Sequence, residues 1–408
     1  MTRIAGRGPA SVFAALTALA LLAGCGNAPP VSSPTPTSAS SPPDSPIPES
    51  PTPSGTPTPT AATCASVVAG LNREERIGQL LMVAIDSSGL SSSTADTLAE
   101  VRAGSVLLLG NTDSGRRAIK AVTDDARAAI KTPSGIGVLL AADQEGGQVQ
   151  RLSGSGFDDM PSAEEQAELS DSELRGDAEN WGEQLKKAGI DANLAPVADV
   201  VPKSLEDVNE PIAGLDRGYG SDPEKVGQKV AAFVEGMDKA GIATSLKHFP
   251  GLGKVRGNTD FTDRVTDSTT DEDDPGFAAF RAGIDAGADM IMAANAYYSK
   301  IDPDHQAVFS KKIITGLIRE GLNFDGVVIS DDLAAKGVSD LSPEKRATSF
   351  ISAGGDLMII GAADDAEDMA EALEDKAESD KSFDARITES ATRVVALKSR
   401  HGLASCSP

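Results

Sequence analysis

The stretch Thr244-Ser245-Leu246-Lys247-His248, running into Phe249-Pro250-Gly251-Leu252-Gly253, decides the fold. It reads as a short strand that ends in a cation and an imidazole and opens into a Pro-Gly-x-Gly loop. Seven further short apolar runs flank it, at Leu81–Ile85, Ser105–Gly110, Val138–Asp143, Asn193–Val197, Met290–Asn295, Gly326–Asp331 and Asp356–Gly361. Every interval has room for a helix. Ser221-Asp222-Pro223-Glu224 reads as a capping box for a helix ending near Ala240, and Ser342-Pro343 opens another. Stretches near 114–130, 173–188, 276–286, 309–320, 364–377 and 385–400 also read as helical. Apolar strands alternating with helices imply a parallel sheet covered on both faces. Eight such units predict a single α/β domain, a (β/α)8 TIM-type barrel over residues 64–408, with a doubly wound open sheet as the alternative. In a barrel the C-terminal strand ends converge on one face, where barrel enzymes place their active sites. Asp143, Asp199, Lys247, His248, Asn295 and Asp331 would meet there.

Ahead of the barrel the sequence changes character. Arg3 and Arg7 precede an apolar stretch from about Ser11 to Ala23, which ends in Leu22-Ala23-Gly24-Cys25. This predicts a lipoprotein signal peptide over 1–24, with Cys25 as the lipidated residue. Residues 26–63 hold 12 of the 24 prolines among Ser, Thr, Ala and Gly, so residues 25–63 read as an extended, disordered spacer between a lipid anchor and the folded domain. The expected location is the extracytoplasmic side of a cell membrane. In that oxidising setting the two remaining cysteines, Cys64 and Cys406, are expected to form a disulfide joining the ends of the domain. The chain has 37 Lys+Arg against 61 Asp+Glu, a net charge of −24, which argues against a nucleic-acid partner. No metal-ligand spacing or phosphate-cradling glycine motif occurs, so no metal and no cofactor is implied.

Three segments carry chemistry. In the first, Lys247 and His248 form a polar floor, and the loop through Asn258-Thr259-Asp260 forms a flap. In the second, Val328-Ile329-Ser330-Asp331-Asp332-Leu333, an aspartate ends an apolar strand and so needs neighbours or a task. One of its two carboxylates would cap the next helix while the other faces the pocket. In the third, Asp143-Gln144-Glu145-Gly146-Gly147, the paired glycines permit a tight turn beside a ligand, and Asp143 and Arg151 can grip hydroxyl or amide groups.

Together with Asn193-Leu194-Ala195-Pro196-Val197-Ala198-Asp199 and the segment from Asp216-Arg217 to Pro223, these pieces resemble glycoside hydrolase family 3. The likeness is to its single-domain β-N-acetylhexosaminidases, which act on bacterial cell-wall fragments. The resemblance implies that Asp331 is the nucleophile of a retaining mechanism, and that Asp143, Arg151, Arg217, Lys247 and His248 bind the terminal sugar. A carboxylate beside Lys247 would be held ionised, as a nucleophile requires. The expected function is a retaining exo-β-N-acetylglucosaminidase acting on peptidoglycan-derived saccharides or muropeptides, as a monomer attached to the membrane through Cys25. A β-glucosidase or β-xylosidase, a sugar-binding lipoprotein without turnover, and a phosphorylase are the alternatives.

The sequence departs from the family in one place. The loop that carries an Asp-x-His dyad in these enzymes here reads Asn258-Thr259-Asp260, and the whole chain has three histidines, His248, His305 and His401. Asp260 is the candidate acid/base in place of the missing histidine, and it would need partial burial or the Asp331 charge to hold a proton near neutral pH. His305 at a helix start and His401 in the tail are expected on the surface. Asn295, Tyr297 and Tyr298 are candidates for the pocket wall, Asp199 organises the loop after the fourth strand, and Trp181 belongs to the core. Aromatic residues make up 4% of the chain, which suits a small pocket for one terminal sugar better than a long groove.

Overall fold

A computed structural model describes residues 62–133 and 135–407. The signal segment, Cys25 and nearly all of the spacer lie outside the described residues. Thr63 caps the first helix, Cys64–Ala69, and a second, Arg73–Gln79, leads into the barrel.

Eight parallel strands follow: β1 Leu81–Asp86, β2 Ser105–Leu109, β3 Leu139–Ala142, β4 Ala192–Asn193, β5 Ala243–Phe249, β6 Met290–Ala293, β7 Val327–Ser330 and β8 Met358–Ile360. Each pairs with its sequence neighbours, and β1 also pairs with β8. A bridge between Ile329 and Leu357 joins β7 to β8, so the sheet closes on itself. This excludes the open doubly wound sheet. The intervening helices are α1 Ser92–Glu100, α2 Arg116–Ala129, α3 Asp171–Lys187, α4 Pro223–Lys239, α5 Phe277–Asp285, α6 Lys312–Gly321, α7 Pro343–Ala353 and α8 Ala366–Ser379. A final helix, α9 Lys381–Arg400, runs back toward the foot of the barrel, where Lys398 Nζ donates to Gln79 Oε1 at 2.6 Å and the Gly104 carbonyl at 2.7 Å.

Two expected boundaries shift for physical reasons. The fourth strand was expected over Asn193–Val197, but its ladder covers Ala192–Asn193, with a single bridge from Val197 to Lys247 beyond it. Pro196 has no N–H to donate, so the regular ladder stops short of it. At α4 the cap is Asp222 rather than Ser221, its side chain accepting from Glu224 N at 3.1 Å, with Pro223 in the first turn.

The strand period of two sorts side chains into two cores. Met82, Ala84, Leu107, Leu139, Ala141, Met290, Met292, Val327, Ile329, Leu357 and Ile359 fill the barrel interior. Their neighbours, such as Val83, Val106, Leu140, Ile291, Val328 and Met358, pack outward under the helices. Trp181 is buried in this outer layer beside Phe233, as expected.

The expected disulfide is present: Cys64 and Cys406 are bonded across a sequence separation of 342. Cys64 N also donates to the Ser407 carbonyl at 2.8 Å, so both ends of the domain meet at one point. Opening so long a loop enlarges the unfolded ensemble, and replacing both cysteines by serine is expected to cost about 2–4 kcal/mol, or roughly 3–6 °C in Tm. Calorimetry of the double variant checks this, and an unchanged Tm would show that the bond does not constrain the unfolded chain.

Candidate active site

The alternation that fills the barrel also aims the polar strand ends into its mouth. Asp143 continues the inward series of Leu139 and Ala141, Asp331 continues that of Val327 and Ile329, and Lys247 shares the inward parity of Ala243. His248 follows Lys247 directly, through a cis peptide bond, and also lines the pocket. The pocket, about 380 Å³, brings together Asp143, Arg151, Arg217, Lys247, His248, Asp260 and Asp331 over an apolar floor that includes Leu107, Leu194, Met292 and Ile359.

One wall is an array of alternating charges. Lys247, almost wholly buried, places Nζ 2.5 Å from Asp143 Oδ1 and 2.7 Å from Glu145 Oε1. Arg217 donates to both oxygens of Glu145 at 2.8 Å and to the Pro211 carbonyl at 2.9 Å. Burial alone would raise the Glu145 carboxyl, but Arg217 and Lys247 outweigh it and hold the acid well below its ordinary range. The same balance acts on Lys247, where burial lowers the ammonium and Asp143 with Glu145 more than restores it. Glu145, Arg217 and Lys247 therefore stay charged, in one geometry suited to ligand hydroxyls. The turn that delivers Glu145 requires Gly146, whose φ is +108° and whose missing Cβ would lie 2.1 Å from the Pro161 carbonyl oxygen. Arg151 reaches the pocket with its guanidinium held by Asn111 Oδ1 at 2.9 Å.

His248 is oriented from behind. Its Nδ1 lies 2.7 Å from Asp199 Oδ2, and its Nε2 lies 3.4 Å from Arg217 Nη2. Asp199 Oδ1 accepts from the backbone of His248 at 3.1 Å and of Leu252 at 2.7 Å, so this fully buried acid braces the loop after β5 and not the expected one, the loop after β4 on which it sits.

Asp331 stands at the end of β7, its backbone N–H on the Ala293 carbonyl and its Oδ1 accepting from Asp332 N at 2.8 Å. Its carboxyl is pushed up to about 6, chiefly by burial and also by the Asp260 and Asp332 charges, against the downward pull of nearby His248 and of the Asp332 N–H. The expected influence of Lys247 is absent, because the carboxylates beside Lys247 are Asp143 and Glu145. Asp332 was expected to cap the next helix. Instead its Oδ1 accepts from Ala334 N at 2.8 Å and Gly361 N at 2.9 Å, fastening the loop after β7 to the end of β8. A Cβ at Gly361 would fall 2.2 Å from Asp332 Oδ2, so only glycine admits this contact.

The loop bearing Asp260 is tied down on both sides. Asn258 Oδ1 accepts from Asp260 N at 2.9 Å, and the Asn258 carbonyl accepts from Phe261 N and Thr262 N. Across the mouth, Gly337 N donates to the Thr259 carbonyl at 2.8 Å and Lys336 N to the Asp260 carbonyl at 3.3 Å. Thr259 is buried, whereas Asp260 is exposed at the rim, which removes partial burial as one of the two expected sources of a raised value.

Glu145 and Asn111 are the site residues that the sequence reading did not single out. Glu145 lies two residues beyond Asp143, on the same side of an extended chain, and that spacing is the signal that would have found it. Other expectations need correction. His305 sits on a strand, Asp302–Gln306, rather than a helix start, exposed and 3.3 Å from Asp302. The His401 side chain is buried at the foot of the barrel, 3.1 Å from Asp289, and not on the surface. Tyr297 and Tyr298 pair with Thr266 and Asp267 in a small outer sheet, and Tyr298 Oη donates to the Gly251 carbonyl at 2.9 Å. Asn295 donates to the Asp332 carbonyl at 2.7 Å. These three residues support the loops behind the pocket and do not line it. Among the described residues no group of three or more His, Cys, Asp or Glu is arranged to hold a metal ion.

Residues 73–397 match the family model described as the glycosyl hydrolase family 3 N terminal domain. A β-hexosaminidase of Stenotrophomonas maltophilia (strain K279a) is 30% identical over 290 residues, 69% of this chain and 83% of its own. The crystal structure of a β-N-acetylhexosaminidase from Beutenbergia cavernae superposes with a TM-score of 0.80 at 43% identity, covering 81% of this chain and 99% of that one. A family 3 β-N-acetylglucosaminidase from a Paenibacillus strain gives 0.73 at 26% identity, over 82% of this chain and 63% of that one.

Proposed function

The chain belongs to glycoside hydrolase family 3, and from that premise we propose a complete reaction and setting for it. It is a glycoside hydrolase that acts as a β-N-acetylhexosaminidase, releasing terminal N-acetylglucosamine. Asp143, Glu145, Lys247 and Arg217 hold the hydroxyls of that sugar, with Arg151 and His248 completing the wall. An oxygen of Asp331 attacks the anomeric carbon as the bond to the leaving oxygen breaks, giving a covalent glycosyl ester. Asp260 gives the leaving oxygen its proton, then takes one from the water that attacks the same carbon and frees Asp331. Two displacements at one carbon return the original β configuration.

The observation that carries this reading is Asp331 itself, an inward carboxylate at a strand end. The charged wall and the Asp260 loop line the same small pocket. The substrates are peptidoglycan-derived fragments, and the enzyme works on the extracytoplasmic side of the membrane, held there through a lipid on Cys25 and the Pro-rich spacer. The location rests on the sequence of the N-terminal segment, and the substrate class on the resemblance to the single-domain β-N-acetylhexosaminidases of the family.

Proton NMR of the first product released from an aryl β-N-acetylglucosaminide is expected to show the β anomer before mutarotation. The α anomer appearing first would exclude the glycosyl ester. Release of N-acetylglucosamine from purified disaccharide muropeptides tests the substrate class, and no release from them would remove the cell-wall assignment.

A further inference from the structure

Among the described residues, nine of ten phenylalanines are buried, and the tenth, Phe261, is 80% exposed. A lone exposed apolar side chain is ordinary; the position of this one is not. Phe261 follows Asp260 directly and lines the pocket mouth. Its backbone is fixed, with N–H bonded to the Asn258 carbonyl at 3.2 Å, while Thr259 and Asp260 are bonded across the mouth to Gly337 and Lys336. The ring is thus held at the rim by a braced loop, where it covers no core.

We propose that Phe261 is the platform of a leaving-group subsite that accepts one pyranose ring, an inference that rests on the β-N-acetylglucosaminidase reading above. The terminal sugar is held at the floor by the Asp143–Lys247–Glu145–Arg217 array, so the group attached to it must leave through the mouth. Asp260 meets the bridging oxygen, and the side chain next to it faces what lies beyond that oxygen. A phenyl ring has no hydrogen-bonding group and cannot read hydroxyls. It can cover the C–H face of a sugar, gaining apolar burial and ring-face contact while the hydroxyls stay in water. No other large apolar side chain at this mouth is as exposed, so the subsite extends over one ring. Phe261 is therefore a residue of substrate choice, favouring disaccharide-sized substrates over simple alkyl glycosides.

The test compares N,N′-diacetylchitobiose with methyl β-N-acetylglucosaminide in the full enzyme and in Phe261→Ala and Phe261→Trp. Both substrates have alkoxide leaving groups that need a proton from Asp260, but only the disaccharide presents a second ring. The ratio of their kcat/KM values is expected to fall about tenfold in Phe261→Ala, mainly through KM, and to recover in Phe261→Trp. Equal losses on both substrates in Phe261→Ala would mean that the side chain only positions the Asp260 loop, and would overturn the subsite. An unchanged ratio would overturn it as well. If the unaltered enzyme hydrolysed neither substrate, the activity reading would fall and the subsite with it.

Discussion

The Asp331→Asn variant is expected to lose on the order of 10⁵-fold in kcat/KM toward every β-N-acetylglucosaminide, activated aryl glycosides included. The amide has almost the same shape and can still accept the 2.8 Å hydrogen bond from Asp332 N. What it lacks is an oxygen able to form a glycosyl ester, so leaving-group activation brings no relief. Stability should move the other way. The Asp331 carboxyl is raised from 3.8 to about 6 by burial, with the neighbouring carboxylates adding to it. An acid whose folded value lies above its unfolded value gives up stability as pH climbs from about 4 through 6, and the full cost, about 3 kcal/mol, applies above 6. The neutral amide escapes that cost, so at pH 7.5 the variant should melt no lower than the parent. A dead but equally stable protein separates chemistry from folding, whereas near-normal turnover would remove Asp331 from the mechanism. The same shift gives the parent an acidic limb: kcat/KM should rise with pH through about 6 as Asp331 ionises.

The alternation that made eight strands legible also aims Asp143, Lys247 and Asp331, because one period of two governs both the barrel filling and the mouth. Residue pairing across the pocket was less legible. Lys247 could be placed at the mouth from its strand, but not its partners. Those depend on a hairpin after β3 that carries Glu145 back over the strand ends and on a loop after β4 that brings Arg217 down to it. The same limit applies to Asp332, whose tie to Gly361 crosses between neighbouring strand ends 29 residues apart. His401 and Asp260 show the error in both directions. A histidine in the tail is expected at the surface, yet Asp289, just ahead of β6, packs against it. For the loop acid Asp260, partial burial is one of the two sources of a raised value that the sequence offers, yet the loop leaves it at the rim. Burial is set by what packs from elsewhere in the chain, and local sequence carries little of that information.

The exposure of Asp260 bears directly on the second large effect. Asp260→Ala should lower kcat/KM on a disaccharide about 10³-fold, within the range of a lost general acid, and much less on an aryl glycoside whose leaving group departs without a proton. With such a substrate the glycosyl ester on Asp331 still forms, but water attacks it without a base. The ester then accumulates, so kcat and KM should fall together. Azide needs no base and should speed turnover of the aryl substrate, yielding a β-glycosyl azide. Asp260 stands exposed at the rim of the pocket, so a bound disaccharide has to cover it. Equal losses on both substrates without azide rescue would give Asp260 a structural part only, and Asp263, ion-paired with Lys336 at 3.1 Å on the same loop, would be the next carboxylate to test.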